Sequence, residues 1–216
     1  MTASSKTLLS RLKGFSLKIR RRIFQRMELC IMDRDLSLPD PVAPQGRVSP
    51  AGESSQEDFD MPLVTHQEVD HMAAYFSPSK LKVLHRRIDD PTIEFRRAQG
   101  LMEDGSCFGF LMHATAPFHE ELYNYTVDPG KFGVYQFDGW VSPHARGKLV
   151  AIRGMIFMAN RRRQEGYQHI RVIVWPNDIR SLRLHKRFGF QEVRRIIYTR
   201  LGPFRWTRPL PVPSFG

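Results

Sequence analysis

Long apolar runs are missing from this sequence. No stretch approaches the length that carries a helix across a bilayer, and no secretory signal peptide is recognisable. Cysteine is scarce: Cys30 and Cys107 are the only two in 216 residues, and they lack the CxxC spacing of metal or redox sites. A disulfide framework is therefore excluded, and a reducing, cytoplasmic setting is the simplest expectation. Neither the GxxxxGK[ST] of a Walker loop nor the GxGxxG of a dinucleotide fold occurs. His113, His119, Glu120 and Glu121 crowd together but follow no HExxH or comparable ligand spacing. They read as charged loop residues, and no metal is expected. Acidic residues are outnumbered, 22 against 33 Lys and Arg, for a net charge of +11. That excess favours anionic partners such as phosphates or acidic lipid. No RNA-module aromatic pattern is present, so nucleic acid ranks last among them.

Residues 1–27 hold no acid before their boundary at Glu28, and Leu8, Leu12, Phe15, Ile19 and Ile23 recur at helical spacing. This predicts a basic amphipathic N-terminal helix. It suits an anionic membrane surface through residues 1–26, an organelle transit peptide, or docking on its own domain. Residues 28–201 carry the patterns of one α/β domain. Glu28–Asp35 alternates as a first strand, and residues 36–60 form a proline-rich loop. Thr65 with Glu68 makes a capping box for a helix through Tyr75, and Ser77-Pro78 opens another to Arg87. Thr92–Leu101 and Ser106–His113 read as strands joined at Glu103-Asp104-Gly105. Ala114–Gly133 shows no element, and residues 202–216 read as an extended C-terminal tail.

The most informative stretch runs from Tyr135 to Phe190. Tyr135–Val141 is a strand by alternation, ended by Ser142-Pro143. Leu149, Ile152, Ile156 and Ala159 form one helical stripe, Arg161, Arg162 and Arg163 fall in its last turn, and Gly166 stops it. His169–Trp175 is a second strand. Pro176-Asn177-Asp178 starts a second helix, which ends at Phe188-Gly189. Between the first strand and its helix lies Arg146-Gly147-Lys148, a glycine flanked by cations at a helix N-terminus. Unpaired amides and the helix dipole make that a phosphate-holding device.

Val141-Ser142-Pro143-His144-Ala145-Arg146-Gly147-Lys148, followed by Asn177, Ser181 and Phe188-Gly189-Phe190, resembles the acyl-CoA-binding core of the GNAT superfamily of N-acetyltransferases. The resemblance covers the second half of the chain closely. It implies a mixed α/β (α+β) fold, with a mostly antiparallel central sheet flanked by helices and a V-shaped splay between the central strands. It implies acetyl-CoA, or another acyl-CoA, as co-substrate and a primary amine of a small molecule or protein as acceptor. Coenzyme contacts then fall on Val141, His144, Arg146, Gly147, Lys148, Leu149, Val150, Ala151, Asn177 and Ser181. The family's phosphate loop usually reads Gln/Arg-x-x-Gly-x-Gly/Ala; here His144 and Leu149 replace its first and last positions. His185 stands where many members carry the tyrosine that reprotonates the leaving thiolate, and an imidazole is suited to that work. Asp138 stands where some members hold the acceptor amine, Gly139 would permit a bulge, and the Val141 amide would polarise the thioester. Trp140 and Trp175 read as core or pocket wall. Other readings are a GNAT-fold binding or regulatory module without strong catalysis, and a basic membrane-surface protein. The sequence leaves homodimerisation open.

Overall fold

A computed structural model describes residues 24–40, 59–98, 109–146 and 149–210. Strand β1 spans Phe24–Asp35. It starts at Phe24 rather than Glu28, so the last residues assigned to the N-terminal helix are strand; the rest of that segment lies outside the described residues. Leu29, Cys30, Ile31 and Met32 are all buried, as in a strand covered on both faces.

Helix α1 (His66–His71) runs on into a 3-10 turn at Met72–Ala74, and α2 spans Pro78–Ile88. Their starts are set by side chains. Thr65 and Glu68 form the expected capping box, with the Thr65 amide donating to the Glu68 carboxylate at 2.8 Å. Ser77 accepts from the Lys80 amide, and Pro78 sits in the first turn, where its missing N–H costs nothing.

Strands β2 (Ile93–Arg97) and β3 (Gly109–Ala114) follow, then a small hairpin of β4 (Phe118–Glu120) and β5 (Tyr125–Val127). The sequence showed no element over this hairpin because each strand is too short to display a period. Asn124, at φ 47°, makes its turn, a conformation asparagine tolerates. The expected turn at residues 103–105 lies outside the described residues. Strand β6 (Gly133–Val141) then leads through a 3-10 turn (Pro143–Ala145) to α3 (Val150–Gln164), β7 (His169–Val174), α4 (Ile179–Arg187) and β8 (Gln191–Leu201).

The expected C-terminal tail instead supplies strand β9 (Phe204–Pro209), paired with β8 from Leu201↔Phe204 to Ile196↔Pro209. Gly202, at φ 59°, starts the two-residue turn between them, which matches strand twist only with positive φ.

Seven strands form one sheet in the order β2-β3-β6-β7-β1-β8-β9. Only β6 and β7 run parallel, and α3 is the crossover that parallel pairing requires. The fold is thus the mixed, mostly antiparallel α+β sheet flanked by helices that was expected. One core, with Val69, Met72, Leu84, Phe95 and Phe137, lies under α1 and α2. A second, with Met155, Met158, Ile170, Val172 and Phe188, lies under α3 and α4, and a third joins Leu29 and Ile31 of β1 to Ile196 and Tyr198 of β8.

Candidate active site

Strands β6 and β7 pair only from Gly133↔His169 to Gln136↔Val172. Beyond Gln136, β6 stays with β3 as far as Val141↔Gly109, while β7 goes its own way. The sheet therefore splays, and the edge of β6 facing the gap has no strand beside it. The register of β3 against β6 slips between Phe110 and Met112, so Asp138 and Gly139 both fall opposite Leu111. This is the bulge expected from Gly139, yet Asp138 is the residue in left-handed conformation, at φ 50°. Gly139 serves the bulge by its size: a Cβ there would lie 3.0 Å from the Leu111 Cδ1.

A cavity of about 630 Å³ occupies the splay, reaching both sides of β6. On one side it is lined by Val141, Val150, Ala151, Ser181 and His185, all of them expected site residues, together with Gly154. A Cβ on Gly154 would stand 3.4 Å from Met61 Sδ, so glycine keeps this wall shallow. Leu149 precedes α3 at φ 60°, the conformation glycine favours. His144 and Arg146 are exposed around the 3-10 turn, and Asn177 is exposed in the turn after β7; none of the three lines the cavity. Gly147 and Lys148 lie outside the described residues.

The opposite side is built by α2 and by the β4–β5 hairpin, over which the sequence showed no element. Lys80, Val83 and Arg87 face the cavity from one stripe of α2, with Glu120 and Tyr123 lining it as well. Asp138 lines it too, held by Lys80 Nζ at 2.5 Å. Tyr135 donates its hydroxyl to the Glu120 carboxylate at 2.7 Å. Burial pushes the Glu120 pKa upward and the Asp138 charge adds to this, against the Tyr135 hydrogen bond and the charges of Arg87 and Lys80. Trp140 closes this wall, stacked on Phe110 with ring centroids 5.7 Å apart. Trp175, by contrast, is exposed and donates to the Tyr123 hydroxyl.

Beneath the splay runs a buried polar relay. Arg162 Nε donates to His113 Nδ1 at 3.3 Å. His113 therefore carries its proton on Nε2, which faces Gln136 Oε1 at 3.3 Å. The Gln136 amide then faces His185 Nε2 at 3.4 Å, and His185 Nδ1–H donates to the Ser181 carbonyl at 2.8 Å. Each donor fixes the next, so neutral His185 keeps its proton on Nδ1 and its Nε2 accepts from the Gln136 amide. Burial lowers its pKa, against the Ser181 hydrogen bond and the Asp178 charge. His113 is pushed down to about 3 by burial and by the Arg162 charge. Arg162 itself is 3% exposed and pairs with Glu94 and Glu165. It is a core residue, and only Arg161 and Arg163 of that run have the partly exposed positions expected of helix-end charges.

No protein-family model matches this sequence, and a search of the curated proteins finds no match. Solved structures resemble it by fold. A tandem GNAT protein from the clavulanic acid biosynthesis pathway superposes with a TM-score of 0.53 at 12% identity, over 93% of this chain and 59% of that one. A GNAT-family acetyltransferase from Colwellia psychrerythraea gives 0.50 at 12% identity, over 87% and 61%. A glucosamine N-acetyltransferase region of a fungal multi-domain β-N-acetylglucosaminidase gives 0.52 at 15% identity, over 92% and 23%. This chain thus spans under two thirds of the length of each of these three. It has a GNAT-like fold.

Proposed function

We propose that this protein is an acyl-CoA-dependent N-acyltransferase that moves an acetyl group from acetyl-CoA to a primary amine by direct attack. The observation that carries this reading is the cavity through the β6/β7 splay, which joins the α3 and α4 side to a second, differently lined side. The thioester enters along the first turn of α3, where free amides and the helix dipole favour phosphate. Its carbonyl takes a hydrogen bond from the unpaired edge of β6 at Val141, which stabilises the developing oxyanion. The amine approaches from the α2 side. Its nitrogen forms the C–N bond as the C–S bond breaks, and its surplus proton passes to a carboxylate.

Glu120 is the better placed base. Asp138 is engaged by Lys80, whereas Glu120 has a raised pKa that brings it closer to the working pH; Asp138 then orients the amine. The thiolate takes up a proton as it leaves. His185 is the candidate donor from α4, and because its pKa is lowered, it must first be charged. A route through His185 therefore makes turnover fall as pH rises above a value lower than that of a free histidine.

Calorimetric titration with acetyl-CoA, followed by thiol release on an amine panel, tests the reading. Micromolar coenzyme binding and acylation of an amine are expected. No binding at millimolar coenzyme would overturn it.

A further inference from the structure

The charges at the α2 end of the cavity do not cancel in pairs. Lys80 and Asp138 satisfy each other at 2.5 Å. Arg87, about two helical turns further along α2, has no such partner. Its guanidinium lies 4.3 Å from the Phe118 ring centroid and 5.4 Å from that of Phe137, so two aromatic faces hold it in place. Its Nε is buried without a hydrogen-bond acceptor, and no ion pair among the described residues engages it. A buried guanidinium N–H without an acceptor is costly. A guanidinium held in place beside a cavity, with no ion pair of its own among the described residues, suits a carboxylate, which arginine can bind through two parallel hydrogen bonds.

Glu120 lines the same cavity, close enough for the Arg87 charge to lower its pKa against the larger effect of burial. It is not in ion-pair contact with Arg87. The two groups thus line one cavity, Arg87 resting on Phe118 of the strand that carries Glu120, one offering positive charge and the other accepting a proton.

We infer that the acceptor is a small aminocarboxylic acid: its carboxylate binds Arg87 and its amine lies between Glu120 and Asp138. This rests on the acyltransferase reading and deepens it. An amine without an anionic group leaves Arg87 uncompensated, and a polyamine sets a second cation against it. A neighbouring carboxylate restores the balance and aims the amine at the splay.

The test uses the full chain with acetyl-CoA and thiol release as readout. Free α-amino acids and β-alanine are compared with the same amines lacking the carboxylate or carrying it as an amide. The aminocarboxylic acids should exceed their matched amines in kcat/KM by about ten-fold or more, the scale of a charge-assisted hydrogen bond. Arg87→Gln should bring that ratio towards one by raising KM for the acids, with the coenzyme Kd unchanged. Arg87→Lys keeps a cation that can lie against the two rings, and should retain part of the preference. Equal or better use of the matched amines, or an equal loss for both classes in Arg87→Gln, would overturn the inference. So would coenzyme binding without acylation of any aminocarboxylic acid. Those results leave the coenzyme reading standing, whereas failure of the wild-type chain to bind acetyl-CoA removes both.

Discussion

Glu120 and His185 show how position, more than residue type, sets chemistry here. Both line the same cavity, and burial pushes both towards neutrality, raising the carboxyl and lowering the imidazole. A carboxyl with a raised pKa can take a proton from an amine near neutral pH, so Glu120→Gln should reduce kcat by about a hundred-fold or more. It should leave the acetyl-CoA Kd unchanged, and steady-state kinetics beside calorimetry checks both. His185 is the sharper question, because its Nδ1 proton is committed to the Ser181 carbonyl. If it returns the proton to sulfur, His185→Gln should lower kcat and erase the fall on the alkaline side of the pH profile. An unchanged profile would assign that proton to solvent. Neither Glu120 nor Arg87 carried a motif that could be read in advance. Glu120 lies in a three-residue strand, and Arg87 looks like any basic residue in the last turn of a helix.

At the scale of elements, the proposed acceptor wall depends on a strand that read as a tail. The β9 residue Thr207 donates its hydroxyl to the Tyr123 carbonyl, and Asn124 Nδ2 donates to the Arg205 carbonyl at 3.0 Å. These bonds tie β9 to the hairpin that carries Glu120 and Tyr123. Deleting residues 203–216 should therefore raise the acceptor KM several-fold while coenzyme affinity is kept, which kinetics and calorimetry can separate. On the opposite edge, Glu94 of β2 accepts from Arg161 at 2.7 Å and also pairs with Arg96 and the buried Arg162. Burial alone would raise its pKa, but the Arg96 hydrogen bond and the three arginine charges hold it lower. Removing one side of such a pair strands the other charge in the interior. Glu94→Ala should therefore cost about 3–5 kcal/mol in urea unfolding.

For the whole molecule, the buried relay makes stability depend on pH. The folded-state pKa of His113, about 3, is below the 6.5 of a free histidine. The folded state then binds fewer protons than the unfolded chain, so stability is full above pH 6.5 and is lost as pH falls towards 3. Glu94 acts in the same direction, through a depressed carboxyl whose contribution disappears only at lower pH. The urea midpoint should accordingly drop between pH 6.5 and 4. In His113→Gln, which retains an acceptor for Arg162, that drop should be shallower. An unchanged slope would mean that His113 is not the group responsible.

The sequence by itself determined the elements whose causes are local. The capping box at Thr65, the Ser77-Pro78 start, the strand ended by Ser142-Pro143 and the helix closing at Phe188-Gly189 all follow from backbone hydrogen bonding within a few residues, and all are present. The family resemblance singled out Val141, Val150, Ala151, Ser181, His185 and Asp138, and all six line one cavity. Tertiary structure decided what depends on distant partners. It set β1 between β7 and β8, made a strand of residues 204–209, and buried Arg162 beside His113. It also brought α2 and the β4–β5 hairpin to line one cavity at the splay. The physical reason is that pairing, burial and charge compensation belong to neighbours in space, and those residues are separated along the chain by more than any local pattern can span.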